Sequence, residues 1–85
     1  MARLPRDVSG TRLIALLESL GYEVIRRKGS HVRLEMRQPS PHAITVPDHP
    51  ALRVGTLAAI LNEVAAATGT SREILVERLG PQRPR

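Results

Sequence analysis

The sequence predicts an α+β domain in the order helix, three-stranded antiparallel sheet, helix, with a short extra helix at the carboxyl end. Two observations predict this order. Apolar residues recur at helical spacing near the amino terminus and again after residue 54, and three short strand-like runs lie between these stretches. A chain of 85 residues is long enough for one such domain. We expect a single domain over residues 1–80 and a mobile basic tail over residues 81–85.

The first helix is predicted over residues 10–20. Ser9 precedes it and is a good N-cap, because its hydroxyl can accept a hydrogen bond from the first helical turn. One apolar stripe then follows, formed by Leu13, Leu16, Leu17 and Leu20. Gly21 stands where a residue in the left-handed conformation would end the helix.

Two strands, residues 22–28 and 31–37, flank Gly29-Ser30, a pair typical of a type II′ hairpin turn. A third short strand is predicted over residues 42–46, before Pro47. The second helix is predicted over residues 54–67, ended by Gly69. A third follows over residues 72–79, capped by Ser71, and its apolar residues are Ile74, Leu75 and Leu79.

The two-residue turn also fixes a register for the hairpin. On one face the register pairs Lys28 with His31, Arg26 with Arg33, and Val24 with Glu35. On the other it pairs Arg27 with Val32, Ile25 with Leu34, and Glu23 with Met36. Val32, Leu34 and Met36 are the natural core side of the second strand, so we expect both long helices on that face. The first face is then open to solvent or to a partner.

The amino-acid composition excludes several classes of function and favours others. Without cysteine, a disulfide framework and a thiolate zinc site are excluded, and with one Tyr and no Trp or Phe there is no platform of stacked aromatics for bases. No apolar run is long enough for a membrane span and no secretory signal is visible, so we expect a cytoplasmic protein. Thirteen basic residues against eight acidic ones give a net charge of +5, which favours a polyanionic partner such as nucleic acid. A solvated basic surface is the alternative.

The hairpin register brings the basic residues together on the open face. Arg26, Lys28 and Arg33, with Ser30 in the turn, are the predicted RNA-binding residues. His31 follows the turn, where an exposed imidazole can act as general acid or base near neutral pH. Two alternatives remain open: basic side chains also keep exposed strands from aggregating, and a surface His can have no task.

The other histidines are weaker candidates. The spacings between His31, His42 and His49 match no metal-ligand motif, so no metal or other cofactor is predicted. The direction of His42 at the start of the third strand stays open. His49 lies in a proline-rich loop beside Asp48, which is more often a turn residue than a catalyst.

Several short motifs in order resemble the HicA-type toxins of toxin–antitoxin modules. They are Ser9-Gly10 before a Leu-rich helix, Leu20-Gly21-Tyr22, Arg26, Gly29-Ser30-His31, Val46-Pro47-x-His49 and Gly55-Thr56-Leu57-x-x-Ile60. The resemblance covers about residues 4–68, and Tyr22 stands where the family often has Phe. It implies a double-stranded-RNA-binding-domain-like fold and a metal-independent ribonuclease that cleaves mRNA and is neutralised by a HicB-type antitoxin. The family's catalytic His corresponds to His31.

Three functions therefore remain under consideration. The first is a toxin that cleaves mRNA with His31 in acid–base catalysis. The second is a catalytically silent RNA-binding module that uses only the basic face of the same fold. The third is a protein-interaction subunit whose basic face docks an acidic partner. A titratable group in the glycine turn favours the first over the second, because binding alone does not need one there.

Overall fold

The computed structural model describes residues 4–38 and 40–80, so the predicted tail at 81–85 lies outside the described residues. Its elements are α1 (Gly10–Ser19), β1 (Glu23–Lys28), β2 (His31–Met36), β3 (His42–Pro47), α2 (Val54–Thr68) and α3 (Arg72–Leu79). The strands form one antiparallel sheet in the order β1-β2-β3. The predicted α+β fold is confirmed. None of the helices in the described segments has the length and apolar character needed to span a bilayer.

The hydrophobic core lies between one face of the sheet and the helices. From the sheet it takes Val32, Leu34, Met36, Ile44 and Val46, all buried. The helices α1 and α2 both contact β3, while α3 contacts α1 and α2 and closes the helical side. Of the three apolar residues of α3 that the sequence analysis names, Leu75 and Leu79 are buried, whereas Ile74 is 48% exposed.

The ends of the helices follow from local chemistry. Ser9 Oγ accepts a hydrogen bond from the Arg12 amide at 3.0 Å and caps α1. At the other end the Tyr22 amide donates to the Leu17 carbonyl and the Gly21 amide donates to the Glu18 carbonyl, which is the Schellman arrangement. Gly21 has a φ of +110°, a value that a side chain would oppose. The start of α1 is therefore set by a side-chain cap, and its end by backbone hydrogen bonds around Gly21.

The hairpin begins in the predicted register. Lys28 faces His31, Arg27 faces Val32 and Arg26 faces Arg33. At the turn, φ is +59° at Gly29 and is not positive at Ser30, as the first and second central residues of a type II′ turn require.

Beyond Arg26 the predicted register is wrong, because β1 contains a β-bulge at Ile25. Val24 pairs with Leu34 instead of Glu35, and Glu23 pairs with Glu35 instead of Met36. Ile25, expected opposite Leu34, is left unpaired and 51% exposed. The extra residue inverts the alternation of side chains. Arg26 can therefore point to the open face while Val24 packs on the core and the Glu23 carboxylate stays in water.

The amino terminus of α1 packs directly against the end of β3. A Cβ added to Gly10 would lie 2.5 Å from Asp48 Cα and 2.5 Å from the Pro47 carbonyl oxygen, so only glycine fits. The Gly10 amide donates to the His49 carbonyl at 2.9 Å, and the Leu52 amide donates to the Val8 carbonyl at 2.7 Å. These contacts fix α1 against the loop that follows β3.

We expect Gly10→Ala to destabilise the domain by about 1–3 kcal/mol, the usual cost of forcing an extra carbon into a packed site. The matched control is Gly55→Ala in α2, where an added Cβ would meet no atom within 4 Å. That change should raise the free energy of unfolding by about 0.5 kcal/mol through helix propensity. Urea unfolding followed by circular dichroism measures both. Equal effects of the two substitutions would contradict the close approach.

We also expect α3 to belong to the folding unit. Leu75→Ala should lower the free energy of unfolding by about 2–5 kcal/mol, because Leu75 is fully buried. Ile74→Ala on the same helix should change it by no more than about 0.5 kcal/mol, since that side chain is half exposed. If Leu75→Ala were as stable as the parent in urea unfolding, α3 would not contribute to the core.

Candidate active site

The sheet face opposite the helices carries a shallow basic concavity beside the hairpin turn. Its volume is about 310 Å³ and its lining residues are Arg26, Lys28, His31, Arg33 and Thr45. The sheet register places them there, because Arg26 faces Arg33, Lys28 faces His31, and Thr45 faces Arg33 from the other side. The structure therefore brings together four of the five residues that the sequence selected, and adds Thr45.

Ser30, the fifth selected residue, has a different place. It is half-buried in the turn, outside the lining of the basic concavity, and its carbonyl oxygen accepts a hydrogen bond from the Asp48 amide at 2.6 Å. Its backbone thus joins the turn to the loop after β3.

His31 is exposed at the first position of β2, where it pairs with Lys28 on one side and Pro47 on the other. Within residues 4–38 and 40–80 its imidazole has no hydrogen-bond or ion-pair partner. Neither ring nitrogen is engaged by the described part of the fold, so the imidazole is available to exchange a proton with a bound molecule. A glycine turn and a short strand place this imidazole on the open face, and no side-chain contact of its own among the described residues holds it there.

An acidic boundary limits the basic concavity. Arg33 Nε donates to Glu35 Oε2 at 3.1 Å, and both side chains are close to half exposed. Beyond this pair, at the end of the sheet away from the turn, lies a larger concavity of about 600 Å³ whose lining includes Glu23, Glu35 and Ile25. Arg37 also lines this larger concavity, but the two carboxylates outnumber its one guanidinium. The smaller basic concavity is therefore the better site for an anion.

The structure resolves the direction of His42. Its Nδ1 lies 2.7 Å from the Tyr22 hydroxyl oxygen and its Nε2 lies 3.1 Å from Glu63 Oε2. Burial raises the pKa of Tyr22, and the nearby Glu63 carboxylate raises it further. Both ring nitrogens of His42 thus have partners within the fold: Tyr22, just after α1, and Glu63 in α2. His42 therefore links the sheet to the helices and is not a free acid or base.

Asp48 forms a cluster that the sequence did not indicate. Its Oδ1 accepts from Thr11 Oγ1 at 2.9 Å, and its Oδ2 accepts from Arg27 Nη1 at 3.1 Å. These two hydrogen bonds hold the pKa of the Asp48 carboxyl below its usual range. Arg27 lies 21 positions from Asp48, so no local spacing could have revealed the pair. We call this cluster, formed by Thr11, Arg27, Ser30 and Asp48, the Asp48 junction.

His49 follows the Asp48 junction and is exposed. Its charge is among the influences that lower the pKa of Asp48, but His49 is outside the lining of the basic concavity. In the described part of the chain no three His, Cys, Asp or Glu side chains cluster as metal ligands would.

Comparison with known proteins gives one match. The family described as the HicA toxin of bacterial toxin–antitoxin systems matches residues 10–65, about two thirds of the chain. The matched segment runs from the first residue of α1 into α2, and so contains the hairpin, the basic concavity and the Asp48 junction. A search of curated proteins and a search of solved structures each found no match.

Proposed function

This chain belongs to the HicA toxin family, and we propose that it is a ribonuclease that cleaves mRNA with His31 as its acid–base group. The observation that carries the proposal is the setting of His31. It is a titratable side chain that has no partner among the described residues, and it stands beside three cationic side chains on an open sheet face. Nothing in the fold needs a titratable group at that position, whereas proton transfer to or from a substrate does.

The proposed reaction uses the ribose of the substrate as nucleophile. Neutral His31 takes the proton of a 2′-hydroxyl, and the 2′ oxygen attacks the adjacent phosphorus. The P–O5′ bond breaks, which leaves a 2′,3′-cyclic phosphate on one fragment. The proton held by the His31 imidazolium is then available to the departing 5′ oxygen, so the step balances without a metal ion or any other cofactor.

Arg26, Lys28 and Arg33 have two proposed roles. They bind the phosphates on either side of the cleaved bond, and they stabilise the negative charge that builds on the phosphoryl oxygens during attack. Arginine suits both roles, because its planar fork donates two parallel hydrogen bonds to phosphate. Ser30 is proposed to contact the RNA at the edge of the site, through the turn that carries His31.

The family also implies a protein partner, the antitoxin of the same module. We propose a HicB-type antitoxin that presents acidic side chains to the basic concavity. Such a protein would compete with RNA for Arg26, Lys28 and Arg33, so one face would serve both cleavage and neutralisation.

The first test of the proposed function is His31→Ala. We expect cleavage of an mRNA transcript to slow by roughly 10²–10⁴-fold, the usual contribution of general acid–base catalysis. The free energy of unfolding should change by no more than about 0.5 kcal/mol, because the side chain is exposed. RNA binding should persist, because arginine and lysine supply the positive charge. The readouts are single-turnover cleavage, thermal unfolding and filter binding.

His49→Ala is the matched control, since His49 is also exposed but lies outside the basic concavity. It should lose much less activity than His31→Ala. All reactions are run in excess EDTA, in which the parent should keep its rate. If folded His31→Ala cleaved at the parent rate, the catalytic role of His31 would be refuted and the silent RNA-binding module favoured. An absolute requirement for a divalent ion would refute the metal-independent mechanism.

The second test separates phosphate binding from chemistry through salt dependence. Each phosphate contact releases counterions and adds about 0.7 to the slope of log K against log salt for single-stranded RNA. Arg33→Ala should therefore weaken RNA binding and flatten this slope. Glu35→Gln should act in the opposite direction, because it frees Arg33 from a carboxylate that lies 3.1 Å away.

Titrations of both variants with a short RNA over a range of salt concentrations measure these slopes. The two substitutions each alter one charge at neighbouring positions on the same strand face, so each serves as the control for the other. Parallel slopes for the parent and Arg33→Ala would place the path of the RNA elsewhere on the molecule.

A further inference from the structure

The hairpin that carries His31 has little support of its own. β1 is an edge strand, and five of its six residues are exposed. Apart from its two neighbours in the chain, no described residue has an atom within 4 Å of the position that a Cβ would take on Gly29 at the tip. A turn at the end of such a hairpin can pivot unless something outside the hairpin holds it.

Asp48 contacts this turn on both sides of Gly29. Its backbone amide donates to the Ser30 carbonyl at 2.6 Å, and its carboxylate accepts from Arg27 at 3.1 Å. The same carboxylate accepts from Thr11 in the first turn of α1 at 2.9 Å. A single residue therefore connects the hairpin turn to the helix layer, and it does so from a loop whose backbone already packs against Gly10.

We propose that Asp48 is a positioning residue for His31: it holds the hairpin turn against α1 and so fixes where the imidazole stands in the basic concavity. Its catalytic consequence rests on the proposed function, whereas its effect on the turn does not. A general base must lie within hydrogen-bond distance of the 2′-hydroxyl. If its backbone shifts by about 1 Å, the rate of cleavage can fall roughly 10²-fold.

The charge of Asp48 is available over the working pH range. Arg27 and His49 are the basic groups that face it, and with Thr11 they lower the pKa of its carboxyl. Because the pKa of Asp48 is lower in the folded chain, its ionised carboxylate stabilises the fold fully when the pH is above the unfolded-state pKa of about 3.9. This stabilisation is lost as the pH falls through the lower pKa of the folded state. The connection should therefore be intact at neutral pH and fail only in acid.

The test is Asp48→Asn, which keeps the shape and the backbone amide but removes the charge that binds Arg27. We expect the backbone amides of residues 29–31 to exchange with solvent at least several times faster than in the parent at neutral pH. We expect kcat for RNA cleavage to fall by roughly 10–100-fold, with KM changed by no more than about twofold. In the parent alone, amide exchange corrected for the intrinsic rate should increase as the pH falls below about 4.

Glu23→Gln is the matched control. It also replaces a carboxylate by an amide, but at the end of β1 away from the turn, on an exposed side chain that forms no ion pair in the described residues. Arg27→Gln is the second variant and should reproduce the effects of Asp48→Asn. The double variant should lose no more activity than the more affected single one, because both changes break the same contact.

Several results distinguish this proposal from the proposed function. Unchanged amide exchange at residues 29–31 in both folded variants would overturn the positioning role, whatever the cleavage rate. Faster exchange with an unchanged kcat would also overturn it, since the turn would then move without consequence. Faster exchange together with a fully active His31→Ala would overturn the catalytic role of His31 while leaving the physical connection through Asp48 in place.

Discussion

The structure depends above all on the close contact between the amino terminus of α1 and the backbone at the end of β3. Gly10 lies so near Pro47 and Asp48 that a single added carbon would overlap both. This approach brings the Gly10 amide to the His49 carbonyl and places Thr11 beside Asp48. One backbone contact thus sets how α1 lies on the sheet, and it delivers to the hairpin turn the loop residue that holds it.

Most of the fold could be predicted because its signals are local. Ser9 and Ser71 cap helices and Gly21 and Gly69 end them, and in the structure each does so through its own hydroxyl or a positive φ. The turn at Gly29 fixes the register for the three pairs nearest to it. The bulge at Ile25 has no such local signal in the sequence, although its consequence is clear: Val24 packs against the core while Arg26 lines the basic concavity on the open face.

The residues of the candidate site also fall into two groups: those that local sequence patterns reveal, and those that only the packed structure reveals. Arg26, Lys28, His31 and Arg33 could be found from the sequence, because one turn and the alternation of side chains place them on a common face. Asp48, Thr11 and Glu63 act through contacts with residues 21 or more positions away, which only the packed structure brings within reach. His42 shows the difference most clearly. It begins a strand as His31 does, but tertiary contacts occupy both of its nitrogens.

The distribution of charge on the open face suggests how RNA would lie across it. Arg26 faces Arg33 in adjacent strands, an arrangement that weakens the sheet on its own. At the opposite end Glu23 faces Glu35, which is unfavourable for the same reason. Two like-charged pairs lower the stability of the sheet more than unlike neighbours would, and such local conflicts are characteristic of functional surfaces.

The alternative explanation for the basic pair is that basic side chains keep exposed strands from aggregating. That explanation gives no reason for the acidic pair. The face has three cationic side chains near the turn, and at the far end it has two carboxylates beside Arg37. Under the proposed function this arrangement has a consequence, because it would draw the phosphates of a polyanion toward the turn. His31 stands beside these cations, so under the proposed function the field that attracts RNA would also bring the RNA backbone to an imidazole that has no partner among the described residues.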